Sequence, residues 1–122
     1  MRSVAPSRCT LSLVQVERAE RLLQPFLDKN EDPRLRGRLR YGRRCEGPAL
    51  IFFESSPGIG KRSQWIDHDI AKFRYTKRTG LWSLYCQFRD LKWRAYEPLP
   101  HSEDLAELVE EMERDPTAIF FG

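Results

Sequence analysis

The chain has 122 residues and a mass of 14.4 kDa, the size of one domain. Hydrophobic residues make up 40% of it and aromatic residues 11%, which excludes an intrinsically disordered chain. The longest apolar run, residues 49–53, is far too short for a membrane helix. We expect a single domain over residues 1–122, with a flexible N-terminal segment at residues 1–10 and no membrane partner.

Charge is distributed unevenly along the chain. The first 33 residues are neutral, residues 34–100 carry a net charge of +9, and residues 101–122 carry −6. Arginine accounts for 16 of the 21 basic residues, and its planar guanidinium suits phosphate and carboxylate groups. Codon bias in a G+C-rich genome explains the arginines equally well. The charge pattern alone favours an acidic partner without identifying it.

The three cysteines, Cys9, Cys45 and Cys86, have neither CxxC nor CxxH spacing. This spacing supports neither a zinc site nor a disulfide framework, so we predict three free thiols, as in a reducing compartment. The N-terminus has no apolar stretch of the secretory type. Both observations favour a cytoplasmic location. Cys86 alternates with apolar residues, and burial there makes a thiol unreactive.

The first predicted element is a helix. Ser12 and Gln15 have the spacing of a capping box, and Pro25 kinks or ends the helix between residues 23 and 28. Its apolar stripe recurs at steps of three and four residues and consists of Val16, Ala19, Leu22, Leu23, Phe26 and Leu27. Residues 29–33 are predicted to be a linker.

Alternation of apolar and polar residues predicts five strands after the linker. The predicted strands are residues 34–41, 49–54, 70–77, 81–88 and 92–97, with a loop at 55–64. In the first of them, Arg34, Arg36, Arg38 and Arg40 would project from one face. The turns between strands are short, which forces antiparallel pairing.

The last predicted helix begins after Ser102, its expected N-cap, and ends before Pro116. Its apolar stripe is Leu105, Leu108, Val109 and Met112. The residues that follow it, Ile119, Phe120 and Phe121, are too apolar for a loose tail, so we expect all three to be buried.

These elements predict an α+β fold: a single antiparallel sheet of about five strands in meander order, with an N-terminal and a C-terminal helix packed on one face. The opposite face would then carry most of the basic strand residues. We predict a binding surface there, formed by Lys72, Arg74, Tyr85, Lys92, Arg94 and Tyr96. Its two tyrosines would provide stacking platforms.

Four short motifs resemble the DUF3024 family, a bacterial family of unknown function. They are Ala71-Lys72 with Arg74-Tyr75, Trp82-x-Leu84-Tyr85, Lys92-Trp93-x-x-Tyr96 and the closing Phe120-Phe121-Gly122. The likeness extends from the first helix to the C-terminus. An aromatic residue commonly follows the Leu-Tyr pair in the family, whereas this chain has Cys86. The resemblance implies a common fold and supplies no catalytic residues.

Two segments invite a catalytic or ligand-binding interpretation. Residues 57–63 resemble a phosphate-binding loop, but Ser55 and Arg62 occupy positions where that motif needs Gly and Ser or Thr. Asp67 and Asp69 point the same way in a strand, yet a metal site needs a third convergent ligand. We therefore predict no metal and no cofactor.

Three functions remain open from the sequence. The preferred one is a small non-enzymatic binding module with a basic sheet face and an unidentified, acidic partner. The second is a protein that binds single-stranded nucleic acid, and the third is an enzyme with a site within residues 55–69. A solvated outer face, kept soluble by its charge, is the alternative explanation of the basic strand residues.

Overall fold

The structure is a computed structural model and describes residues 8–59 and 64–122. Those ranges contain two α-helices, α1 (Leu13–Asp28) and α2 (Leu105–Arg114), a 3₁₀ turn (Lys29–Glu31) and six strands. The strands are β1 (Arg40–Glu46), β2 (Ala49–Pro57), β3 (Trp65–Thr76), β4 (Leu81–Gln87), β5 (Trp93–Ala95) and β6 (His101–Ser102). No helix in the described part of the chain is long and apolar enough to span a membrane.

The strands form one antiparallel sheet in which β1 to β5 are neighbours in chain order and β6 pairs with β4. Both helices cover the same face, because Leu23 of α1 and Leu108 of α2 share one core with Phe73 and Leu84 of the sheet. The predicted α+β fold and its meander order are confirmed. We call the other face of the sheet the open face.

Local sequence explains the helix boundaries. The capping box of Ser12 and Gln15 forms as predicted, with both hydrogen bonds present. Pro25 lies inside α1, which nevertheless continues to Asp28 because Phe26 is buried in the core. The N-cap of α2 is Asp104 and not Ser102: the Asp104 carboxylate accepts a hydrogen bond from the backbone N–H of Ala106.

The predicted strand at residues 34–41 is mostly wrong. Its backbone is hydrogen-bonded within itself, from Leu35 N to the Asp32 carbonyl and from Arg38 N to the Leu35 carbonyl, so the segment folds into consecutive turns. Gly37 permits one of them through its positive φ of 79°. The four arginines therefore form no row on a strand. Only Arg40 belongs to the sheet, as the first residue of β1.

The strands β2 and β3 are longer than predicted. Ser55 and Asp67, which were both placed outside the predicted strands, are opposite each other in the β2–β3 ladder. The register shifts at Phe52 and Phe53, which indicates a β-bulge. The ends of the two strands are rich in polar residues and lack the alternation seen in the central residues, so the sequence did not predict them as strand.

The prediction of three free thiols is wrong. Cys9 and Cys45 form a disulfide with a Cα–Cα distance of 5.2 Å, and Cys86 is a buried free thiol. Thr10 N donates to the Gly47 carbonyl at 2.8 Å and holds the same segment against the β1–β2 turn. Residues 1–7 of the segment expected to be flexible lie outside the described residues. The thiol argument no longer supports a cytoplasmic location, which stays a prediction.

Candidate functional site on the open sheet face

The open face is defined by strand alternation. Leu50, Phe73 and Leu84 point into the helix-covered core, so their neighbours in each strand point the other way. The ladder registers arrange these neighbours in rows across the sheet. One row is Arg44, Ile51, Lys72, Tyr85 and Ala95, and the next contains Glu46, Ala49, Arg74 and Ser83.

Lys72 lies at the centre of this face, between two aromatic rings. Its ammonium is 5.2 Å from the ring centre of Tyr85 and 5.4 Å from that of Trp93, close enough for cation–π attraction to both. Burial lowers the pKa of Lys72, and the positive charge of Arg74 lowers it further. An anion placed beside these two cations would relieve their repulsion.

Two apolar residues form the floor beneath these cations. Ala49 and Ile51 are 4% and 2% exposed, although neither belongs to the core beneath the helices. The side chains above them, Lys72, Arg74 and Trp93, line a shallow cavity of about 250 Å³ together with that floor. The apolar stems of the cations therefore cover the floor, a common arrangement for long charged side chains.

On the β1 side of the open face, Arg44 is neutralised by ion pairs. Both terminal nitrogens of Arg44 contact the Asp69 carboxylate, at 2.7 and 2.8 Å, and its Nε contacts Glu46 at 3.2 Å. These hydrogen bonds, with Asp69 the stronger, raise the pKa of Arg44. Lys72 and Arg74, by contrast, form no salt bridge within the described residues.

Three of the six predicted site residues, Lys72, Arg74 and Tyr85, do share the open face. Arg94 does not, because it is opposite the core residue Cys86 in the β4–β5 ladder. Its guanidinium is instead paired with Asp90 and stacked on Phe88, with a distance of 4.7 Å to the ring centre. The remaining cation, Lys92, precedes β5 and is exposed.

The prediction that Tyr96 lies on the open face is wrong. It is 2% exposed, packs in the helix-covered core, and donates its hydroxyl to Glu111 at 2.7 Å. Burial is the main cause of its raised pKa. The stacking platform missed by the sequence prediction is Trp93, because β5 presents the opposite set of side chains from the one expected.

The two carboxylates considered for an enzyme site are already hydrogen-bonded to other side chains. Asp67 accepts a hydrogen bond from the Ser55 hydroxyl, and Asp69 is paired with Arg44. No group of three metal-ligating side chains occurs in the ranges that the structure describes. Residues 60–63 of the loop compared with a phosphate-binding motif lie outside the described residues.

A cavity of about 450 Å³ is on the other side of β5 and includes Phe88, Pro98 and Ile119 in its lining. Cys86 also lines it, and burial raises the pKa of that thiol above its usual value. A thiol of raised pKa is a poor nucleophile at neutral pH. The cavity therefore has the chemistry of an apolar cleft and not that of a cysteine active site.

The sequence matches the family described as a domain of unknown function, DUF3024, over residues 11–122. No curated protein and no solved structure matches it. The family carries no assigned activity, so function must be inferred from the geometry of the open face.

Proposed function

The chain belongs to the DUF3024 family, and for this member we propose a non-enzymatic binding module whose open face binds single-stranded nucleic acid. The observation that carries the proposal is the position of the Lys72 ammonium between the rings of Tyr85 and Trp93, beside the exposed Arg74. Sheets that bind single strands combine cations for the phosphates with aromatic rings for the bases.

Partial exposure of the two rings supports stacking. Tyr85 and Trp93 are half-buried, so they are held in place by the sheet and yet accessible. A base stacked on an aromatic side chain contributes ~1–3 kcal/mol with little regard to its identity. We therefore expect binding that tolerates many sequences and depends on the strand being unpaired.

The position of the acidic helix supports the choice of an anionic partner. The apolar stripe of α2 packs in the core on the far side of the sheet, which keeps its carboxylates away from the open face. Salt screens exposed charges beyond ~8 Å at physiological ionic strength. The net charge of −6 over residues 101–122 therefore does not cancel the positive charge of Lys72 and Arg74 at the open face.

The test is a fluorescence titration with a labelled single-stranded oligonucleotide at several salt concentrations. Arg74→Glu should weaken binding and reduce the slope of log affinity against log salt by about 1 or more. Trp93→Leu, which keeps apolar cover over Ile51, should weaken binding about 5- to 100-fold through lost stacking.

Arg94→Glu is the matched control, because it makes the same change in charge on the other face of the sheet. We expect its affinity to stay within about twofold of the wild type, since exposed charges at a distance are screened. Equal effects of Arg74→Glu and Arg94→Glu would leave only nonspecific attraction. No binding of the wild type at low salt would overturn the proposal in favour of an acidic protein partner.

A further inference from the structure

A serine and a histidine meet at one end of the open face. Ser83 Oγ and His101 Nδ1 are 3.0 Å apart, and the two residues are partners in the β4–β6 ladder. Ser83 is only 8% exposed, whereas His101 is exposed. The hydrogen bond therefore fixes an accessible imidazole ring to a rigid strand.

The chain reaches this position by returning to β4 beyond the short strand β5. Leu84 N donates to the Pro100 carbonyl at 2.9 Å, which aligns His101 with Ser83. On the other side of Ser83, the β3–β4 ladder places Arg74 directly opposite. Arg74, Ser83 and His101 thus form one row across three strands, with Cβ atoms of neighbours about 4.5–5.5 Å apart.

This row has donors for an anion. The Arg74 guanidinium can donate a hydrogen bond to a phosphate oxygen. When the Ser83 hydroxyl donates to His101 Nδ1, the Nε2–H of the imidazole is free to donate as well, so Ser83 orients the ring and does not itself contact the anion. The nearest acidic group along the row is Glu46, on the far side of Ala49, and it is engaged by Arg44. Within the described residues, no salt bridge occupies Arg74 or His101.

A hydrolytic use of the Ser83–His101 pair fits less well. A nucleophilic serine needs a histidine that a third group orients, usually a carboxylate, and His101 has no such hydrogen-bond partner among the described residues. The serine is also mostly buried, which keeps a substrate carbonyl from its hydroxyl. The pair is better suited to holding an anion than to attacking an ester.

We propose that Arg74 and His101, with Ser83 positioning the imidazole, form a subsite for one phosphodiester group of the bound strand, an assignment that rests on the proposed function. The subsite lies two residues along the strands from the row of Lys72 and Tyr85, a separation of about 6.5–7 Å. A base stacked on Tyr85 therefore places a neighbouring phosphate over Arg74 and His101.

The test is His101→Ala in the same oligonucleotide titration, with His68→Ala as control. The chain has two histidines, and His68 is also exposed but belongs to the part of β3 near Asp67. Loss of one hydrogen bond to a phosphate should weaken binding about 2- to 10-fold. His68→Ala should bind like the wild type, and thermal melting checks that both variants fold.

An NMR titration of the two imidazole rings gives a second readout that does not depend on a mutation in the protein. The His101 ring signals should shift when the oligonucleotide is added, and the His68 signals should stay in place. Unchanged His101 signals and full affinity of His101→Ala, with the wild type still binding, would overturn the subsite alone. Absence of wild-type binding would overturn the subsite and the proposed function together.

Discussion

At the scale of single residues, the pairing of Tyr96 with Glu111 explains why a buried carboxylate is tolerated. Glu111 is 7% exposed and receives hydrogen bonds from the Tyr96 hydroxyl at 2.7 Å and from Arg114 at 2.8 Å. These bonds, with that from Tyr96 the stronger, lower the pKa of Glu111 below its usual 4.5. Tyr96 is therefore a structural residue that ties the end of the sheet to α2.

Tyr96→Phe should lower the free energy of unfolding by about 1–3 kcal/mol at neutral pH, because the buried carboxylate loses its donor. Glu111 has a lower pKa in the folded state than in the unfolded state, so its contribution is present above pH 4.5 and lost as pH falls through the folded value. The difference between variant and wild type should shrink in acid. Urea denaturation at neutral and acidic pH measures it.

Tyr85→Phe is the control for this prediction, since Tyr85 is half-buried on the open face and its hydroxyl forms no hydrogen bond within the described residues. Its stability should stay within about 0.5 kcal/mol of the wild type. A Tyr96→Phe protein as stable as Tyr85→Phe at neutral pH would contradict the role given to the buried hydroxyl.

At the scale of elements, the C-terminal segment closes the core. Asp115 ends α2 in the left-handed conformation, and its carboxylate accepts hydrogen bonds from the backbone N–H groups of Phe120 and Phe121. Phe120 is 7% exposed and packs on Tyr96, with 4.9 Å between ring centres. The expected burial holds for Phe120, but Ile119 is only half-buried and Phe121 is 39% exposed.

Phe120→Ala should therefore destabilise the protein by about 3–5 kcal/mol, the usual loss for a buried phenylalanine. Phe121→Ala should cost less, about 1 kcal/mol, because Phe121 is 39% exposed, so its ring, which packs against those of Phe26, Tyr41 and Phe52, loses less buried area. Thermal or urea unfolding of the two variants compares them. Equal losses would contradict the different burial of the two rings.

At the scale of the whole molecule, the disulfide joins the segment before α1 to the edge strand β1. It links residues 36 positions apart, and a covalent link over such a loop restricts the unfolded chain. The disulfide thus adds a covalent link to the strand pairing and core packing that stabilise the fold.

Removing the link by Cys45→Ser should lower stability by about 3–4 kcal/mol, given the 36-residue separation. A thiol reagent should find one thiol per chain in the denatured, unreduced protein and three after reduction. In the native protein, the buried Cys86 should react slowly. Three thiols before reduction, or melting unaffected by reductant, would contradict the covalent link.

The elements that depend on neighbouring residues could be predicted from the sequence. The capping box of Ser12, the apolar stripe of α2 and the alternation around Phe73 and Leu84 are local patterns, and each gave the observed helix or strand. Short turns between strands then required antiparallel neighbours, so the meander followed. Lys72, Arg74 and Tyr85 were placed correctly because strongly apolar neighbours fixed the face of their strands.

Features that depend on residues far apart in the chain could be seen only in the folded protein. Around β5, both alternating sets of residues contain a large aromatic side chain: Trp93 belongs to one set, and Tyr96, just after the strand, belongs to the other. The pattern therefore did not show which set faces the helices. The predicted strand at residues 34–41 was wrong because an alternating segment forms a strand only where another strand pairs with it. Cys9 and Cys45 met because the fold joined their segments, a contact that no spacing within the sequence reveals.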